Sequence, residues 1–234
     1  MKNIPIIILN KDRLDPLKML VASLQSRGYN NIIIIDNQTT YPPTLNWYAE
    51  SGVNVFYNDI DSTLYDTGTF YRLAFEIQHP AFVDLVKDYY VFTDSDVVPT
   101  ELAPDNFIDC MVDVCRELGT HKVGAALKID DLPDTDFTKY VLSIEVPMWD
   151  RKIPHDVYEI YHAGVDTTFA VYAPNTKPLL NQDVIRMGGD FTAKHIPWYY
   201  DLGNMPEDEH YYLTHLQAHR GPAYSPRVKE LIQR

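Results

Sequence analysis

The sequence predicts a mixed α/β fold, a doubly wound and mostly parallel sheet with helices on both faces and an irregular second half. Three observations predict it. The runs "IPIIIL" at 4–9 and "NIIIIDN" at 31–37 are apolar without alternation, the pattern of strands buried on both faces. Between them, Leu17, Leu20, Val21 and Leu24 recur at helical spacing, and Gly28 supplies a stop. Strand-like and helix-like stretches go on alternating past residue 100, with no composition break, linker or repeat. One domain over 1–234 follows, with 1–100 as a nucleotide-type half and 101–234 as a catalytic or acceptor half.

The elements follow in order. "PPTLNWYAESG" at 42–52 reads as a short helix after a Pro-Pro turn, and "VNVFYN" at 53–58 as a third strand. "GTFYRLAFEI" at 68–77 reads as a helix and "YYVFTDSD" at 89–96 as the next strand. "NFIDCMVDVCREL" at 106–118 is an amphipathic helix, and "KVGAALKIDDLPD" at 122–134 a strand running into a loop. Beyond this the alternation degrades. "VLSIEVPMW" at 141–149, "TTFAVYAP" at 167–174 and "IRMGGDFTAKHIPWYY" at 185–200 suggest short strands between aromatic loops, and "PEDEHYYLTHLQ" at 206–217 a last helix.

Composition narrows the function. Of 234 residues, 45% are apolar and only 10 are glycine, enough for a sizeable core. The formal charge of -13, without a basic stripe, argues against nucleic acid as a partner. The two cysteines, Cys110 and Cys115, have no CxxC spacing, so the expectation is a reduced, cytoplasmic protein. The first apolar run is too short for a membrane span and reads as a buried strand. Peripheral membrane association stays compatible with this.

One stretch carries chemistry. "YYVFTDSDVVP" at 89–99 ends an apolar strand on Asp94 and Asp96, one residue apart. In an extended chain such residues project to one side, so both carboxylates can converge on one cation. Carboxylates suit hard divalent ions such as Mg²⁺ and Mn²⁺. The alternative is a simple strand-ending turn.

These residues resemble a family. "YYVFTDSDVVP" is similar to the DxD element of glycosyltransferases with the GT-A fold, and "IPIIILNKDR" through "NIIIIDNQTT" resembles the opening of their family-2-like members. "TTYPPTLNWY" at 39–48, "ALKIDDLPD" at 126–134, "GVDTTFAVY" at 164–172 and "TAKHIPWYYDLGNMPEDEHYY" at 192–212 resemble bacterial members that assemble polysaccharides or glycoconjugates. The resemblance implies a metal-dependent, inverting transfer of a sugar from a nucleotide-sugar donor, a UDP-sugar for preference, to a glycan acceptor. It implies that Asp36, Asn37, Asn10 and Asn58 meet the nucleoside, and that Asp94, Asp96 and His195 hold Mn²⁺ or Mg²⁺. Lys194 and Arg72 would balance the diphosphate. Asp208 in "MPEDEHYY" would be the general base, with Asp166 its rival and Glu145 and Asp150 further candidates. Trp198 and Trp149 would stack on the acceptor sugar.

Three other readings compete; in one, a nucleotidyltransferase would use similar carboxylates, but the Gly-rich loop expected after the first strand is absent from "LNKDRLDPL". A strand ending Asp-x-Asp-x-Val also resembles haloacid-dehalogenase-type phosphatases, with Asp94 as nucleophile and Asp96 as general acid. A non-catalytic carbohydrate-binding role is the third. "GGDF" at 188–191 resembles a cyclic-dinucleotide synthase signature but lacks the surrounding pattern.

Overall fold

A computed structural model of the chain describes residues 1–57, 80–165, 168–176, 182–201 and 203–215. The helix expected at 68–77 lies outside these residues. β1 (Ile6–Asn10) and β2 (Ile32–Asp36) are buried along their whole length and pair in parallel, Ile6 opposite Ile32 through Asn10 opposite Asp36. Their continuous hydrophobicity has a direct cause. Ile6 and Ile8 join one apolar cluster with Ile32 and Ile34, while Ile7 and Leu9 join a second with Ile35. Successive residues thus serve opposite faces, and each face packs against something apolar.

α1 (Asp15–Ser26) buries Leu17, Leu20, Val21 and Leu24 in the first cluster. Gly28, at φ +81°, ends it as expected. Its N–H bonds to the Gln25 carbonyl while the Tyr29 N–H reaches back to Leu24, so two carbonyls of the last turn are satisfied. α2 (Pro42–Ser51) ends on Gly52, also left-handed, and leads to the edge strand β3 (Asn54–Tyr57). After α3 (Pro80–Leu85) comes β4 (Tyr90–Asp94), which pairs in parallel with β1 on the side away from β2.

β5 (Val97–Pro99) leaves the main sheet, and α4 (Phe107–Glu117) packs Ile108, Met111, Val112 and Cys115 onto the α1 face. β6 (Lys122–Ala125), β7 (Lys152–Ile153), β8 (Ile160–Val165), β9 (Ala170–Tyr172) and β10 (Gln182–Met187) complete a sheet ordered β3-β2-β1-β4-β9-β6-β10-β8-β7. Seven strands run one way. Only β9, between β4 and β6, and β8, between β10 and β7, run the other. β11 (Ala193–His195) pairs antiparallel with β5 as a separate two-stranded ribbon. α6 (Glu207–His215) is the last described helix. Among the described residues no helix is long and apolar enough to cross a membrane, and both cysteines are free thiols.

One expected strand is a helix. "VLSIEVPMW" forms the end of α5 (Asp136–Glu145) and a 3-10 turn over Val146–Trp149. Its β-branched content suggests a strand, but a capping box between Thr135 and Thr138 starts a helix just upstream. Thr138, Val141 and Glu145 then form one buried stripe at helical spacing.

Close packing makes one glycine obligatory. A Cβ on Gly124 of β6 would lie 2.5 and 2.9 Å from the Val165 methyls. Gly124→Ala is expected to cost about 1–3 kcal/mol in urea denaturation, from overpacking. Adding Val165→Ala should recover part of that loss; a neutral Gly124→Ala would contradict the packing described.

Candidate functional site

β1 is flanked by β2 on one side and β4 on the other, so the strand order reverses at the β1–β4 boundary. In open α/β sheets the loops leaving the carboxyl ends of such strands part there and leave a crevice. The segments that meet at this point are residues 11–14 after β1 and the Asp94-Ser95-Asp96 turn after β4.

Asp94 is half-buried at the end of β4, opposite Leu9. The Ser95 N–H donates to the Leu9 carbonyl, 3.0 Å, which carries the ladder one step further. Ser95 and Asp96 then form a turn rather than continuing the strand, so the two carboxylates are not related by simple extended alternation. Asp96 points inward and is 2% exposed.

Arg13 meets Asp96 there. Its Nη1 lies 2.8 Å from Asp96 Oδ2, and its Nε and Nη2 donate to the two carboxylate oxygens of Glu209 at 2.7 and 3.3 Å. The guanidinium also lies over the Tyr212 ring, 3.8 Å from its centroid. All three charged side chains are buried. Burial opposes charge on Asp96, but the Arg13 guanidinium and the neighbouring His195 outweigh it and hold the carboxyl below the usual range. His195 Nε2 sits 3.6 Å from Asp96 Oδ2, and its ring stacks on Trp198 at 4.7 Å. Burial, aided by Arg13 and outweighing the pull of Asp96, pushes the imidazole below its ordinary range.

The β2 end of the crevice is tied by hydrogen bonds rather than by ion pairs. Asn10 Nδ2 donates to the Arg13 carbonyl and to the Tyr48 hydroxyl, 2.9 and 2.8 Å, and that hydroxyl donates to Asp36 Oδ1, 3.0 Å. Asp36 Oδ2 accepts the Thr39 N–H at 3.1 Å. Burial, only partly offset by these bonds, raises the Asp36 pKa. Asn37 is partly buried beside them, and the Lys11 ammonium caps its carbonyl at 3.1 Å. Asp12, at φ +60°, accepts the Thr40 and Tyr41 N–H groups at 2.6 and 3.0 Å and so joins the loops after β1 and β2.

Asp208 serves the same loop. Its Oδ2 accepts the Leu14 and Asp15 N–H groups, 2.7 and 2.8 Å, capping α1 from the other end of the chain. The residue at the helix's own cap position is Leu14, which has no oxygen to offer. Asp208 Oδ1 is buried without a hydrogen-bond partner, as is Asp96 Oδ1.

The expected site residues therefore divide. Asp94, Asp96, His195, Asn10, Asp36, Asn37 and Asp208 gather around the crevice. Asn58, Arg72 and Asp166 lie outside the described residues. Lys194 is turned to Asp131, 3.6 Å away, and to the Tyr199 ring. Trp198 has one face covered by His195. Trp149 stands elsewhere, edge-on to Tyr161 at 5.1 Å. Glu145 is bound to Arg186 at 2.7 Å, which fills the role of a structural pair, and Asp150 is exposed. Sequence reasoning passed over Arg13 and Glu209, the charges at the centre. An arginine three residues past the end of β1 carries no local signature; only its position at the strand-order reversal singles it out.

No protein-family model matches the chain, and no curated protein matches it. Among solved structures it is similar to 4-diphosphocytidyl-2C-methyl-D-erythritol synthase from Anaerococcus prevotii DSM 20548, with 10% identity over the whole of this chain and 84% of that one, and a TM-score of 0.34. At that level no conclusion passes from one chain to the other.

Arg13→Met strands two buried carboxylates and is expected to cost about 3–5 kcal/mol in urea denaturation. Asp208→Ala removes the distant cap and should cost less, about 1–2 kcal/mol. The reverse order would show that the guanidinium is not the stronger tie.

Proposed function

We propose that this protein is a metal-dependent, inverting glycosyltransferase that uses a nucleotide-sugar donor, a UDP-sugar for preference, and a glycan acceptor. The observation that carries the reading is the acidic doublet at the β1–β4 strand-order reversal, where an open α/β sheet offers a crevice. Asp94, Asp96 and His195 would hold Mn²⁺ or Mg²⁺. Among the described residues no three such side chains converge closely enough to hold an ion, but Asp96 Oδ1 is a buried oxygen lacking a partner, which suits a cation ligand. The ion, when bound, would offset the negative charge gathering on the departing nucleoside diphosphate.

The chain's own groups do the rest. Arg13 fixes the Asp96 carboxylate through a 2.8 Å ion pair, its charge being shared with Glu209. Asn10, Asp36 and Asn37 would line the nucleoside end; the family resemblance adds Asn58 there and Arg72 and Lys194 as counter-charges to the diphosphate, Asn58 and Arg72 lying outside the described residues. Asp208 is the base. Its Oδ2 is held by the α1 amides; Oδ1, buried and unpartnered among the described residues, is the oxygen an acceptor hydroxyl would have to reach. The phosphatase alternative is disfavoured on electrostatic grounds. It needs Asp96 free to carry and deliver a proton, whereas its buried Oδ2 is tied to the Arg13 guanidinium at 2.8 Å.

A thermal-shift panel of UDP-, GDP- and CMP-sugars with and without Mn²⁺ tests the assignment. A donor at a hundred times its Kd adds about 2.7 kcal/mol, or roughly 5–10 °C for a chain of this size. The shift should require both donor and metal and should vanish in Asp96→Asn. A shift that persists in that variant would remove the metal from the reading. Asp208→Asn keeps an oxygen for the α1 cap, so its melting temperature should change little while turnover falls by about 10²–10⁴. Unchanged turnover would return Asp208 to a purely structural role.

A further inference from the structure

A cavity of about 440 Å³ opens beyond the far end of the β5–β11 ribbon, lined by Trp149, Lys128, Asp130, Glu159, Asp190 and Thr192 among others. Its size falls in the range of small-molecule sites, roughly 300–1,000 Å³. His195 faces Val97 at one end of the ribbon, next to Asp96, and the Thr100 N–H bonds to the Thr192 carbonyl at the other. Three residue steps separate Thr192 from His195, about 10 Å of extended chain. The cavity is thus a neighbour of the crevice and shares no residue with the acidic doublet.

Its wall is built around an aromatic ring. A Cβ on Gly188 would lie 3.0 Å from Trp149 Cζ3 and 3.1 Å from Tyr161 Cε2, and Gly189 holds φ +57° with a Cβ position 3.5 Å from Glu159 Oε2. The Gly188-Gly189 pair therefore leaves room for the indole and the carboxylate, which accounts for the "GG" of "GGDF" without any nucleotide chemistry. Trp149 is half-buried as a whole, and its indole N–H is itself buried with no hydrogen-bond partner among the described residues. Such a donor is costly to leave unmet.

The charges are one-sided. Lys128 is the single cation of the lining, and it is already paired with Asp130 and, at 3.6 Å, with Asp131. Glu159 accepts from the Tyr161 hydroxyl and lies 3.5 Å from Lys152; Asp190 is exposed to the cavity mouth. Three lining carboxylates against the ammonium groups of Lys128 and, beside Glu159, Lys152 leave a net negative wall that accepts hydroxyl or ammonium donors and disfavours anions. The exposed part of the Trp149 indole offers an apolar face to ring C–H groups.

We propose that this cavity binds a polyhydroxylated ligand that is neutral or carries an amine, and rejects acidic sugars. Where the transferase reading holds, this is the acceptor subsite, and the acceptor terminus is a neutral or amino sugar rather than a uronate or a phosphosugar. Saturation-transfer NMR on the whole chain tests it, with methyl glucoside, glucosamine and glucuronate as probes at equal concentration and no donor or metal. Methyl glucoside and glucosamine should bind, with glucuronate at least roughly tenfold weaker. Trp149→Ala should abolish both signals. Trp149→Phe keeps a ring against Tyr161 and Gly188 and should weaken them several-fold. Glu159→Gln should narrow the gap to glucuronate. The proposal is overturned if no probe binds, if glucuronate binds as well as methyl glucoside, or if the signals survive Trp149→Ala in a folded variant. Donor binding is measured separately, so saccharide binding without any donor-induced shift would remove the transferase reading and leave the cavity standing.

Discussion

A single buried guanidinium holds the crevice together. Arg13 comes from the loop after the first strand, Asp96 from the turn after the fourth, and Glu209 from the last described helix. None of these charges is tolerable alone in a dry interior, because each loses far more hydration than one ordinary hydrogen bond restores. Together they form an arrangement that only arginine can complete. Its planar fork engages Glu209 with two nitrogens and presents a third to Asp96, while its face lies against Tyr212. Segments nearly two hundred residues apart in sequence are thereby fixed within one side chain's reach.

The same end of the sheet is ordered by aspartates that act on backbone amides. Asp12 accepts N–H groups from the loop after β2, and Asp208 accepts them from the start of α1. Loops at the carboxyl edge of a sheet normally have little to hold them, since their backbone groups face water. Here they are gripped by carboxylates on neighbouring segments. The crevice is consequently shaped before any ligand arrives, and a ligand would lose little to ordering the protein.

The parts of this architecture that depend on local pattern were legible in the sequence. The uninterrupted apolar runs of β1 and β2 reflect burial on both faces, the helical spacing of Leu17 to Leu24 reflects one packed face, and Gly28 marks a left-handed stop. Long-range features were not legible in this way. The "VLSIEVPMW" stretch reads as a strand until the Thr135–Thr138 capping box upstream is weighed. Insertion of β9 between β4 and β6 has no local signal, because a short antiparallel strand has the same composition as a parallel one. At the site, the acidic doublet stood out by its place at a strand end, whereas Arg13 looked like any loop cation. Two buried carboxylates imply a buried counter-charge, but the sequence does not say which of 20 lysines and arginines supplies it.

The cap on α1 is delivered across 194 positions. A chain leaving the ribosome exposes α1 early, with β1 and β2 ready to pair beside it. The amides at its front stay open, and Arg13 stays without its second carboxylate, until the segment around 208 and 209 has been translated. Vectorial synthesis thus yields a half-built scaffold first, and the cleft is finished only when a segment 194 positions further along has joined it.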